Sequence, residues 1–145
     1  MRALLDINVL IALLDLDHPD HPWAKRWFKS NVQNGWASCP LTQNGCIRIM
    51  SQPAYPNSVP VSIVMELLRN ATGNAAHAFW PDAVSLLDSE AVDGSLVHGP
   101  RQVTDVYLLA LAVQNGGRFV TFDGAIALAA VRKAKPEHLH ILTAG

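Results

Sequence analysis

Cysteine is scarce in this chain: Cys39 and Cys46 are the only two. Their spacing suits neither a metal site nor a disulfide framework, and both sit near apolar residues. They read as buried free thiols in a reducing cytoplasm. Long hydrophobic runs are missing too. No stretch approaches the length of a membrane span, and Asp6 interrupts any signal-peptide reading of the first residues, so no membrane role is expected. Charge of one sign is also lacking: 11 basic residues face 12 acidic ones, for a net charge of −1. That balance neither requires nor excludes a nucleic-acid partner; any such contact must use a local basic patch. Internal repeats, low-complexity tracts and long linkers are absent. What is present is a chain of 145 residues, half of them hydrophobic. That suits one compact domain, 1–145, with a sizeable core and little disorder.

The hydrophobic residues come in two alternating patterns. Ala3 to Leu5 is a short apolar run ending at Asp6 and reads as a buried first strand. Asn8 to Leu16 carries Val9, Leu10, Leu13 and Leu14 at helical spacing. A His18-Pro19-Asp20-His21-Pro22 turn follows, with both histidines read as surface residues. Trp23 to Val32 predicts a second helix, and Trp36 to Cys39 a second strand after the Asn34-Gly35 turn. Pro40 suits the entrance to a helix running to Met50. Residues 51–60 form a proline-rich loop, and Val61 to Leu68 a further helix ended by Asn70 to Asn74. Ala76 to Trp80 is a third strand. Ala83 to Gly99 predicts a short helix within an irregular segment. A helix opened by Asp105 and ended by Gly116-Gly117 leads to a fourth strand, Arg118 to Phe122. Ala125 to Val131 reads as a short helix and Leu139 to Leu142 as a last strand. Strands alternating with helices imply an α/β fold: a three-layer α/β/α sandwich around a mainly parallel sheet.

In such sheets ligands gather at the carboxyl ends of the strands. Asp6 and Asp123 fall just past two of those ends, and Asp105 falls at a helix start facing the same edge. Each has an ordinary explanation. Asp105 suits a helix first turn, with Thr104 as its N-cap; Asp123-Gly124 suits a turn; Asp6 suits the cap of the next helix. Together they mean more, because like charges brought close repel unless a cation joins them. Mg²⁺ or Mn²⁺ fits an oxygen-only cluster, whereas no thiolate or histidine spacing suits zinc. Such a site stabilises charge on a phosphoryl group, and phosphodiester hydrolysis is the chemistry it best supports.

Three segments carry a resemblance: LLDINVLIALLD at the start, CPLTQNGCIRIMSQPAYPN in the middle and RQVTDVYLLALAVQNGGRFVTFD near the end. Together they resemble PIN-domain ribonuclease toxins of the VapC type over nearly the whole chain. The resemblance implies a parallel-sheet α/β/α fold and cleavage of RNA by water activated on Mg²⁺ or Mn²⁺. It also implies a VapB-type antitoxin as partner, a homodimer, and a cytoplasmic setting. By position, the family's first, third and fourth acids become Asp6, Asp105 and Asp123, as metal ligands and catalytic residues. Asn8 matches the small polar residue two places after the first acid, contacting the metal's water. The second acid, usually glutamate, falls at Gln43. Glutamine keeps a carbonyl oxygen but loses the charge, so it ligates weakly and cannot act as a base. Three aspartates suffice for one ion and leave a second in doubt.

Other residues have two readings each. Arg101 and Arg48 could face a phosphate or lie solvated, His98 could contact RNA or sit on an exposed loop, and Thr121 could orient a ligand or fill a strand position. Arg132, Lys133 and Lys135 make a small basic run, by default a solvated face. Trp23, Trp27, Trp36 and Trp80 could stack bases, but their spacing favours core and dimer-interface packing. Two further functions compete with the nuclease. One is a catalytically weak RNA- or antitoxin-binding module that keeps the fold, suggested by Gln43. The other is a phosphatase with Asp6 as nucleophile, disfavoured because Asn8 stands where an acid is wanted.

Overall fold

The computed structural model describes residues 1–143. Five short strands form one sheet: β1 (Ala3–Leu5), β2 (Trp36–Ser38), β3 (His77–Phe79), β4 (Arg118–Thr121) and β5 (Leu139–Ile141). Their order is β3-β2-β1-β4-β5, and every pairing is parallel. Five α-helices accompany them: α1 (Ile7–Leu14), α2 (His21–Asn31), α3 (Pro40–Met50), α4 (Val61–Thr72) and α5 (Val103–Gln114). The expected sandwich is therefore the observed one.

The two faces of the sheet are covered separately. Leu4 and Phe119 point to a core built on α5, while Ala3, Leu5 and Val120 point to a core built on α1, α3 and α4. Adjacent strand residues alternate between these cores, as a sheet buried on both sides requires. The helix α5 buries Val106, Leu108, Leu109, Ala110, Leu111 and Ala112. Apolar nearly all round, it lies under irregular segments on its outer side. Cys39 and Cys46 are free and fully buried. Burial pushes the Cys46 thiol up to about 12, so it packs as a small hydrophobe.

Several boundaries differ from the sequence expectation. The helix α4 continues to Thr72, four residues past the expected end, with Glu66 paired to Arg69 and the Thr72 hydroxyl bonded back to Leu68 O. No α-helix forms in the segment from Ala83 to Gly99. It holds a single 3₁₀ turn at Gly94–Leu96 and is pinned by a bridge between Val92 and Val131. The expected helix from Ala125 to Val131 is likewise one 3₁₀ turn, Leu128–Ala130. Tertiary hydrogen bonds hold both pieces, among them Asp93 N–H to Ala130 O and Arg132 N–H to Ala91 O, and periodicity does not register those. His18 and His21 are half-buried rather than free on the surface, and the His21 ring meets the Ala12 carbonyl at 2.8 Å.

Two glycines set close approaches. A Cβ on Gly117 would lie 2.6 Å from the Arg2 carbonyl and from the Trp80 ring. A Cβ on Gly45 would lie 2.4 Å from Ile7 Cδ1, so the bare backbone lets α3 cross the first turn of α1 directly behind Asp6.

Candidate active site

The pairing of β1 with β4 sets Leu5 opposite Val120. Asp6 follows Leu5, and its backbone N–H bonds to Val120 O at 2.9 Å. Asp6 also caps α1, its carboxylate accepting from Ile7 N–H at 2.8 Å. The fully buried Thr121 hydroxyl donates to Asp6 Oδ2 at 2.6 Å and accepts from Asp123 N–H at 3.1 Å. Thr121 thus ties the two strand ends together. Asp123 is exposed and accepts from Ala125 N–H at 2.8 Å, an Asx turn. Asp105 lies in the first turn of α5, whose N-cap is Gln102 rather than Thr104.

The electrostatics show how closely these acids are gathered. Burial raises the Asp105 carboxyl to about 7, helped by the charge of Asp6 and by the hydrogen-bonding proximity and charge of Asp123. Burial also raises Asp6, only partly offset by the Thr121 and Ile7 bonds, and the charge of Asp123 adds to the rise. Among the described residues, none of the three acids forms an ion pair. They repel one another with no protein cation between them. The donor set suits a hard, oxygen-loving ion. No group of three His, Cys, Asp or Glu side chains among the described residues yet closes into a ligand cage. Asp6 and Asp123 each accept hydrogen bonds from the protein, which leaves further lone pairs on both carboxylates.

The remaining sequence candidates divide. Asn8 is exposed and lines, with Asp6, a groove of about 360 Å³ whose walls include Ile11, His18 and Tyr55. Tyr55 is fixed by donating to the buried Asp15, which also accepts from Asn57 and from Asp17 N–H. Burial alone would push Asp15 up, but these bonds outweigh it and hold the carboxyl below the usual range. Arg101 is exposed on a 3₁₀ turn, Arg48 is exposed on α3, and the exposed His98 has its backbone N–H tied to Gln102. Among the described residues none of these three pairs with the carboxylates.

Gln43 is engaged elsewhere. Its Nε2 donates to Ser38 Oγ at 2.9 Å, and Ser38 Oγ meets His77 Nε2 at 2.8 Å. Burial holds the His77 ring below its ordinary value, against a backbone bond with Thr72. A neutral imidazole with its proton toward Thr72 completes the chain: Gln43 donates to Ser38, and Ser38 donates to His77. The groove that Gln43 lines lies between α3 and α4, with Ile47, Met65 and Leu68. The sequence reading passes over Ser38, His77, Tyr55 and Asp15. A usable signal was a hydroxyl at the last position of a buried strand, which both Ser38 and Thr121 supply.

The comparisons with known proteins settle the family. The PIN domain model matches residues 3–132. The chain belongs to the PIN-domain family. Within it, the closeness to VapC proteins makes it a relative of the VapC-type ribonuclease toxins. It is 55% identical over 142 residues to "Ribonuclease VapC44" of Mycobacterium tuberculosis, covering 98% of this chain and 100% of that protein. It is 46% identical over 128 residues to "Ribonuclease VapC39" of the same organism, covering 88% and 92%. Among solved structures, M. tuberculosis VapC20, described as a Sarcin-Ricin loop cleaving toxin, superposes with a TM-score of 0.63 at 13% identity, covering 92% of this chain and 99% of that one. VapBC2 of Rickettsia felis, solved bound to a DNA fragment from their promoter, gives 0.60 at 12% identity, covering 99% and 100%. At those identities the structures speak for the PIN fold alone.

Proposed function

We propose that this PIN-domain protein is a Mg²⁺- or Mn²⁺-dependent endoribonuclease, the toxin of a toxin–antitoxin pair. One observation carries the reading: Asp6, Asp105 and Asp123 share the carboxyl edge of β1 and β4 with no protein cation to balance them. Those three residues would hold the ion. When bound, it neutralises their mutual repulsion and supplies positive charge to the scissile phosphate. Thr121 keeps Asp6 in place against that charge. Asp105, raised to about 7, is a group whose protonation responds to the ion's arrival. Asn8, exposed beside Asp6, is positioned to contact water or phosphate there. A VapB-type antitoxin as partner is supported by the VapC relatives. A homodimer is supported by the exposed Val61, Ile63 and Met65 on α4. A cytoplasmic setting follows from an RNA substrate, and among the described residues no helix is long and apolar enough to cross a membrane.

The test is cleavage of total cellular RNA with Mg²⁺ or Mn²⁺, with the cut ends mapped. Cleavage abolished by EDTA and by Asp105→Asn supports the reading, and the ends name the target among transfer, ribosomal and messenger RNA. A second reading, a catalytically weak RNA- or antitoxin-binding module, is favoured by one observation: the Gln43 amide is committed to Ser38. Absence of cleavage at any metal concentration selects it.

A further inference from the structure

The helix α2 reads HPWAKRWFKSN: three basic residues, three aromatic ones if His21 is set aside, and no acid. In a chain of net charge −1, it is a local concentration of positive charge. Trp23, Arg26, Trp27 and Ser30 recur at helical spacing and share one side of the helix. That side faces the end of β5 across a surface groove of about 290 Å³, which His140, Leu142 and Thr143 close from the sheet. Its aromatic surfaces are already arranged for stacking. The Arg26 guanidinium lies 5.1 Å from the centre of the Trp23 ring, and the His140 ring stacks on Trp27 at 5.9 Å with planes 23° apart. Burial holds His140 below the ordinary imidazole value, aided by Arg118, so the ring is neutral near pH 7. Among the described residues Lys25, Arg26 and Lys29 have no carboxylate partner.

The groove also has a defined relation to the carboxylates. Leu142 N–H bonds to Thr121 O at 2.8 Å, so the groove wall lies one strand over from the threonine that holds Asp6. Adjacent strands are about 5 Å apart, so the groove lies within the reach of a few nucleotides from the carboxylates. A polyanion with flat rings matches both the charge and the surfaces of this groove; an apolar protein segment leaves the Arg26 guanidinium in its wall unmatched.

We propose that the groove between α2 and β5 is a stacking site for single-stranded RNA, holding a segment of the strand that runs on to the carboxylates. Trp23 and Trp27 bind bases; Arg26 binds the backbone beside them. The inference rests on the ribonuclease reading for its substrate class, but its test does not require cleavage.

The experiment is a titration of a short oligoadenylate into the whole protein in EDTA, followed by tryptophan emission. Trp36 and Trp80 are only 4% and 9% exposed, so quenching reports chiefly on Trp23 and Trp27. Trp23→Leu and Trp27→Leu should each weaken binding roughly tenfold. Arg26→Ala, an exposed change that spares the core, should reduce the slope of log affinity against log salt by about 0.7. Unchanged affinity and slope in Arg26→Ala, together with unchanged affinity in a folded tryptophan variant, would overturn the proposal. So would a change in sedimenting mass with oligoadenylate affinity unaltered, which would make the groove a contact between copies of the chain. Oligoadenylate binding lost in these variants while the natural protein cleaves no RNA with Mn²⁺ would leave the stacking site standing and remove the ribonuclease reading.

Discussion

Two ends of the same sheet edge solve the same local problem differently. At β4, the buried hydroxyl of Thr121 holds Asp6; at β2, the buried hydroxyl of Ser38 accepts from Gln43 and reaches His77. Both hydroxyls are fully buried at the last position of their strands. The β2 end is electrically quiet. Every member of its chain is neutral, and the buried Ser38 hydroxyl is bonded on both sides, to Gln43 and to His77. The β1/β4 end gathers three carboxylates, and burial with the charge of Asp123 raises both Asp6 and Asp105. A self-satisfied polar network stabilises and specifies packing. An unbalanced one is completed only by something from outside. The difference separates a structural device from a binding site built on the same backbone geometry.

The contrast breaks most visibly at the acids. Asp6→Asn or Asp105→Asn should reduce RNA cleavage by roughly a thousandfold, about 4 kcal/mol of transition-state stabilisation. The same changes should raise the melting temperature of the metal-free protein, because they relieve repulsion. A variant that cleaves normally would remove the carboxylates from the chemistry.

Next come the two hydroxyls. Thr121→Val should lower Mn²⁺ affinity or cleavage by about tenfold, as expected when the support of a ligand is lost. Ser38→Ala should leave cleavage within a few-fold. It should cost about 1–3 kcal/mol in chemical denaturation, since the Gln43 amide and the His77 nitrogen lose their shared partner. If the two swaps behaved alike, the distinction between the two strand ends would collapse.

The pH dependence sharpens the same point. Asp105 holds its proton to about 7 in the folded protein against 3.8 for an ordinary aspartate. Between those values the folded state binds more protons than the unfolded one, so metal-free stability falls as pH rises through the window. Bound Mg²⁺ or Mn²⁺ should reverse this, stabilising the fold more at pH 7.5 than at pH 5. Thermal melts with and without EDTA at both values decide it.

The smallest effect is expected at Gln43. In Gln43→Glu, the Ser38 hydroxyl turns to the new carboxylate and no longer donates to His77, whose pKa should then rise in an NMR titration. Mn²⁺ should bind a few-fold more tightly if position 43 is the missing fourth acid. Equal affinities for the two proteins would sink that idea.

Much of this is legible in the sequence. Apolar runs ending at Asp6 and Asp123 marked two strands, and Pro40 to Met50 marked α3 to the residue. The meeting of Asp6, Asp105 and Asp123 required only that β1 and β4 be neighbours. The Gln43-Ser38-His77 chain was hidden for the converse reason. It depends on β3 lying beside β2 and on one hydroxyl's direction, and neither leaves a periodic trace. The segments near Val92 and Leu128 form no helix because their shape comes from hydrogen bonds to each other, not from their own side-chain pattern.

The bond between Thr121 and Asp6 joins residues 115 positions apart. During synthesis the Asp6 carboxylate has neither its threonine nor Asp105 and Asp123 until β4 and the residues just after it have emerged. Pairing β1 with β4 closes this long loop late. Partial products, whether stalled in synthesis or cut short by a nonsense codon, therefore carry an incomplete site. The three acids thus become a site only when the last of them, and the strand that leads to it, are in place.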